Sequence, residues 1–212
     1  MRTPRNKKHK TSSSSTKTPK LSNLKNLKTI IQAAYSTQPE AQSLLGDLGY
    51  KYDNDLSSIE NKVFVKDDGT PGIVYRGSRQ VVKDFLLSDM AVLKGTQAFD
   101  PRFQEAVETR KKTEAKYGKP AELYGHSLGG AIAEYVGTQN NPIVTVNKWA
   151  GPLDIGKIIP ENQLDIRHTN DYVSSVAPWQ YHNHDNLVTY GTGSDGVIAD
   201  HKYQGIPDDL FG

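Results

Sequence analysis

The residues in this chain that suit chemistry fall in a fixed order: one serine, then several acids, then three late histidines. The serine is Ser127, in the run Leu123-Tyr124-Gly125-His126-Ser127-Leu128-Gly129-Gly130-Ala131. The pattern is G-x-S-x-G, read as a strand, a sharp turn and a helix start. Gly125 and Gly129 suit a place where strand and helix cross too closely for side chains. The turn projects the serine oxygen, and the backbone N–H of Leu128 faces the same point. A serine hydroxyl is a poor nucleophile at neutral pH. It needs a base to take its proton, and the base needs an orienting carboxylate.

Asp171 is the preferred carboxylate, because it opens a loop just past Leu164-Asp165-Ile166, at the strand end where sheet folds gather site residues. Asp154, in a loop, and Glu161 and Asp165 are the alternatives; Asp165 is mid-strand and must face the right way. Among His182, His184 and His201, the preferred base is His201, expected in a loop after the last strand, with His184 second. His182-Asn183-His184-Asp185 also suggests two metal ligands, but the further histidines of a hydrolytic metal site are missing. Neither a metal nor another cofactor is expected. His126, inside the turn, reads as a packing or hydrogen-bonding neighbour. His168 reads as a strand-end residue, and His9 belongs to the basic tail. No Gly-Lys-Ser/Thr and no G-x-G-x-x-G spacing follows Gly125, so a phosphate loop is excluded.

Positioning these groups needs strands that alternate with helices. Lys62–Lys66 alternates and is β-branched, Asp67–Gly72 is turn chemistry, and Ile73-Val74-Tyr75 makes a hairpin partner. A helix is expected over Gln80–Leu87, and residues 88–100 suit a cover over an apolar groove or an ordinary packed connection. Asp100-Pro101 opens the clearest helix, with an N-cap Asp and Pro in the first turn, running to about Tyr117. Ala121–Tyr124 feeds the serine turn. Ile143–Val146 is a continuous apolar strand of the kind buried on both faces, and Leu187–Tyr190 is the last strand. The alternation predicts an α/β fold with a mostly parallel sheet and helices on both faces.

The N-terminal part is different. Residues 1–39 hold nine Lys or Arg and no acid, which leaves 17 basic and 24 acidic residues in the remainder, so the tail is strongly positive and the body net negative. Residues 1–20 have no large aliphatic residue after Met1 and are expected to be a disordered basic tail. Residues 21–38 read as a basic amphipathic helix or linker, with Leu21, Leu24, Leu27, Ile30, Ile31 and Ala34 recurring at helical spacing. A second helix passes through Ala41–Leu45, with Gly46 as its stop. Residues 39–212 form the expected catalytic body. Through residues 1–28 the candidate partners are nucleic acid or an anionic lipid surface. There is no apolar run of spanning length, no secretory h-region and no cysteine, so an intracellular place is expected, virion or nucleus included.

Several ordered segments resemble the class 3 lipases, the fungal-lipase-like branch of the α/β-hydrolases. Val74-Tyr75-Arg76-Gly77-Ser78 resembles that family's strand ending in Arg-Gly-Thr/Ser. Asp84-Phe85 through Asp89 resembles its Asp-Trp…Asp pattern, with Phe in place of Trp. Gly125–Gly130 matches its serine turn, and Ala150-Gly151-Pro152 resembles the Gly-x-Pro after the next strand. Asn170-Asp171-Tyr172-Val173 with Pro178 resembles the segment around its acid, and His201-Lys202-Tyr203 the segment around its histidine. The resemblance spans about residues 60–205. It implies a serine esterase, a lipase or phospholipase, with Ser127 as nucleophile, Asp171 as orienter and His201 as base. The backbone N–H groups of Ser78 and Leu128 would then form the oxyanion hole. The segments between Ser127, Asp171 and His201 are short for that family, leaving less chain for a lid and acyl groove. The compact, cysteine-free body with a basic tail also resembles members encoded by large DNA viruses.

Overall fold

Alternating apolar residues, one set to each side of a sheet, dictate two helical layers around it. The computed structural model describes residues 24–78, 101–149, 159–171, 186–191, 193, 196–208 and 210. The expected tail, the Gln80–Leu87 helix and the 88–100 cover lie outside them, as do Asp154, His182 and His184.

Seven strands form one sheet: β1 (Lys51–Tyr52), β2 (Asn61–Val65), β3 (Pro71–Tyr75), β4 (Glu122–His126), β5 (Ile143–Val146), β6 (Gln163–His168) and β7 (Leu187–Tyr190). They lie side by side in chain order. β1, β2 and β3 pair antiparallel, and β3 through β7 are parallel. The β2–β3 hairpin turns at Gly69, whose φ of 77° suits a residue without a Cβ.

On one face lie α1 (Leu27–Tyr35) and α2 (Gln38–Asp47). Leu27, Ile30 and Ile31 of α1 pack in one core with Phe64, Val74, Tyr124, Val144 and Ile166 of the sheet. The apolar stripe of the basic helix is therefore occupied by its own sheet. On the other face lie α3 (Pro101–Tyr117) and α4 (Leu128–Val136). Phe103, Ala106, Leu128 and Ile132 pack there on Val63, Ile73, Leu123 and Ile143. Neighbours Phe64 and Val63, or Tyr124 and Leu123, thus serve opposite layers, as the strand period requires. Each such buried side chain stabilises by about 1.5–3 kcal/mol relative to exposure.

Local chemistry sets the helix ends, with one correction. α2 starts in a capping box of Thr37 and Glu40, and the Thr37 N–H donates to Glu40 Oε2 at 2.9 Å. It does not stop at Gly46, which lies inside it; Leu45 is fully buried and holds that turn against the core. The left-handed residue is Gly49, at φ 80°. α3 ends as expected, at Gly118 with φ 67°. A second correction concerns His201, which is not in a loop but closes a short helix, α5 (Val197–His201).

Candidate functional site

Parallel strands in register bring their C-terminal ends to one edge, and the chemistry gathers there. Tyr75 pairs with Gly125, His126 with Val146, and Val146 with Ile166. Ser127 is the first residue past β4, and Asp171 stands three residues past β6, with its N–H on His168 O at 3.1 Å.

Ser127 has φ 57° and ψ −127°, a strained backbone for a residue with a Cβ. The flanking glycines make the turn possible. A Cβ on Gly125 would sit 2.1 Å from Gly129 O, and one on Gly129 would sit 2.1 Å from Tyr75 O. A Cβ on Gly77 would meet Tyr35 Oη at 2.4 Å and Ser127 Cβ at 3.2 Å, so the chain leaving β3 runs against the serine. That run is pinned: Arg76 pairs with Glu60, and Arg102 of α3 bonds Glu60 at 2.8 Å and Arg76 O at 2.6 Å. Ser78 follows it, half-buried. Leu128 opens α4, and its N–H is among the four at a helix start without an intrahelical acceptor.

Ser127, His201 and Asp171 meet. Ser127 Oγ lies 2.8 Å from His201 Nε2, and His201 Nδ1 lies 3.0 Å from Asp171 Oδ1. All three are buried, Asp171 completely. The carboxylate accepts from Nδ1–H, which leaves Nε2 free to accept from the hydroxyl. An imidazole so placed can take a proton from the hydroxyl while the carboxylate stabilises the resulting cation.

Of the alternative acids, Asp165 and Glu161 do not meet there. Asp165 is buried on the α3–α4 side, held by Lys148 at 3.0 Å, Thr145 Oγ1 at 2.6 Å and Gln163 Nε2 at 2.8 Å. Glu161 lies in an exposed turn before β6. His168 does sit at a strand end, 3.8 Å from Asp200. Among the described residues, no group of three or more His, Cys, Asp or Glu is placed to hold a metal ion.

His126 is the anticipated neighbour, and its surroundings are specific. Its Nε2 lies 2.7 Å from the carbonyl of His201, which can only accept, so Nε2 carries the proton. Nδ1 then accepts from the Tyr35 hydroxyl at 2.6 Å, and the Tyr35 oxygen accepts from the Gly77 N–H at 3.2 Å. Burial, with the neighbouring His201 adding to it, pushes the His126 pKa down to about 3. Burial also raises the Tyr35 hydroxyl well above its ordinary value. Sequence reasoning missed Tyr35, which lies 91 positions from His126 in α1, and Asn147, just past β5. The only local signal for Asn147 was an asparagine directly after an apolar strand.

No family model matches this chain, and no curated protein matches it in sequence. It is similar to a solved structure, the native Rhizomucor miehei lipase propeptide complex, at 16% identity and a TM-score of 0.43. The match covers 74% of this chain and 63% of that one, so this chain spans less than two thirds of that structure's length. In class the protein has an α/β fold with a mostly parallel sheet. Among the described residues, no helix is long and apolar enough to cross a membrane.

Proposed function

We propose that this protein is a serine hydrolase of carboxylic esters, a lipase or phospholipase in substrate class. The observation that carries the reading is the unbroken hydrogen-bonded chain from Ser127 Oγ through His201 to Asp171, at 2.8 and 3.0 Å. Ser127 Oγ attacks the ester carbonyl carbon as its proton passes to His201 Nε2. The carbonyl oxygen takes the negative charge, facing the backbone N–H groups of Ser78 and Leu128. The carbon–oxygen bond to the alcohol breaks, and His201 returns the proton to the departing oxygen. Water, deprotonated by the same nitrogen, then attacks the acyl-serine; the acid leaves and Ser127 regains its proton. Asp171 stays ionised and holds the imidazole in the required tautomer. Each oxyanion donor contributes about 3–4 kcal/mol in comparable sites.

A fluorophosphonate probe and a short-chain nitrophenyl ester test the reading. The expected result is labelling and turnover by the native protein, both lost in Ser127→Ala. Absence of both in the native protein, or full activity in Ser127→Ala, overturns it.

The segregated charge favours a second reading, a lipase-fold binding module whose basic N-terminal residues hold nucleic acid or an anionic membrane. Salt-dependent DNA binding that disappears on deleting residues 1–20, with no esterase activity, would select this reading over the first.

A further inference from the structure

Two residues other than glycine have positive φ among the described residues, and they hold matching places in adjacent strands. Ser127 stands just past β4, and Asn147, at φ 43°, just past β5. Asparagine tolerates the left-handed region better than most residues, at some remaining cost. Such a conformation persists only where its surroundings fix it.

The surroundings of Asn147 reach the chain on both sides of the serine's partners. The residue is fully buried. Its backbone N–H donates to Ile166 O at 2.8 Å, and its Oδ1 accepts from the His168 N–H at 2.8 Å, both on β6, the strand that leads to Asp171. Its Nδ2 faces three acceptors: His201 O at 3.1 Å, Asp200 O at 3.2 Å and the Tyr190 hydroxyl at 3.1 Å. The amide orientation follows from chemistry, because a backbone N–H can only donate and the two carbonyls can only accept. His201 ends α5, where carbonyls lack intrahelical partners. Asn147 and His126 together supply that carbonyl with donors.

We propose that Asn147 is a positioning residue for His201, tying the strand that carries the acid to the helix end that carries the base. It touches neither substrate nor the reacting atoms. It acts by fixing the His201 backbone so that both ring nitrogens meet Ser127 and Asp171 at once. This proposal rests on the hydrolase reading above. Aspartate is close to isosteric at this position, yet it would turn an oxygen toward the two carbonyls. Glycine would keep the left-handed backbone without strain and remove every side-chain bond.

The test compares Asn147→Asp and Asn147→Gly with the native protein, with folding followed by circular dichroism. Activity is read as separate kcat and KM for a nitrophenyl ester. The His201 Nδ1 proton, bonded to a carboxylate, is read directly as a downfield proton NMR resonance. In folded variants kcat is expected to fall about 10- to 100-fold, with KM within about two-fold. The downfield resonance is expected to broaden or vanish. Folded variants that keep both kcat and the resonance overturn the proposal. Loss of fold in both variants also overturns it, because Asn147 is then a stability residue. If the native protein hydrolyses no ester, the hydrolase reading fails by itself, and the resonance alone decides whether Asn147 positions His201.

Discussion

His126 and His201 lie with ring centres 5.1 Å apart, both buried, yet their surroundings give them opposite capacities. His126 stands between a phenol hydroxyl, which donates to its neutral Nδ1, and a backbone carbonyl, whose pull toward the charged imidazole is outweighed by burial. Its pKa is down to about 3, and its proton is committed to Nε2. His201 stands between a carboxylate and a serine hydroxyl. In the proposed hydrolysis that carboxylate would support the cation that proton transfer creates. The comparison teaches that a buried imidazole becomes a base or a fixed hydrogen-bond donor according to what faces its second nitrogen.

The sharpest way to break the contrast is to give His201 neutral partners on both sides. Asp171→Asn does so, and the asparagine amide also favours the wrong tautomer. We expect kcat to fall about ten-thousand-fold with the fold intact, measured by ester turnover and thermal melting.

The next effect concerns protons on His126. The folded residue titrates near 3, against an ordinary 6.5 for the unfolded chain. Between those values the unfolded state binds a proton that the folded state does not. The stability due to the neutral His126 is whole above pH 6.5 and is lost as pH falls toward 3. The loss is at most about 1.4 kcal/mol per pH unit. Urea midpoints between pH 7 and 4 check it, and His126→Gln should flatten this part of the pH dependence.

That variant also carries the third prediction. A glutamine brings an amide N–H donor group and a carbonyl acceptor but no rigid ring, and its loss of geometry should cost about 1–3 kcal/mol at pH 7. The smallest effect is expected from Tyr35→Phe. Removing the hydroxyl leaves His126 Nδ1 and the Gly77 N–H without it, and should lower stability by about 1–2 kcal/mol in the same denaturation assay.

What was legible in the sequence follows the range of the forces involved. Ile143–Val146, Leu187–Tyr190 and the helix from Pro101 to Tyr117 carry their own apolar run, turn residues or caps, and each stands where local chemistry put it. β1 was missed because Lys51 and Tyr52 have no pattern of their own; they are a strand only through pairing with Val65 and Phe64. The helix ending at His201 is five residues long and follows Gly196 at φ 104°, a start no propensity favours. In the candidate site, Ser127 stood out by its glycines, and Asp171 and His201 by their order in the chain. Tyr35 and Asn147 gave no comparable sign. Their contacts with the site arise only when a helix from the opposite end of the chain, or the end of a neighbouring strand, is brought to the serine.

The sheet order has a further consequence for how the protein is made. The strands lie in the order of synthesis, so each new strand finds its neighbour already present. Ser127 belongs to the middle of that sequence, and His201 is translated 74 residues later. A nascent chain can therefore lay down the strained turn and the helix after it while the serine still lacks its imidazole. The hydrogen bond between Ser127 and His201 can form only after α5 has emerged.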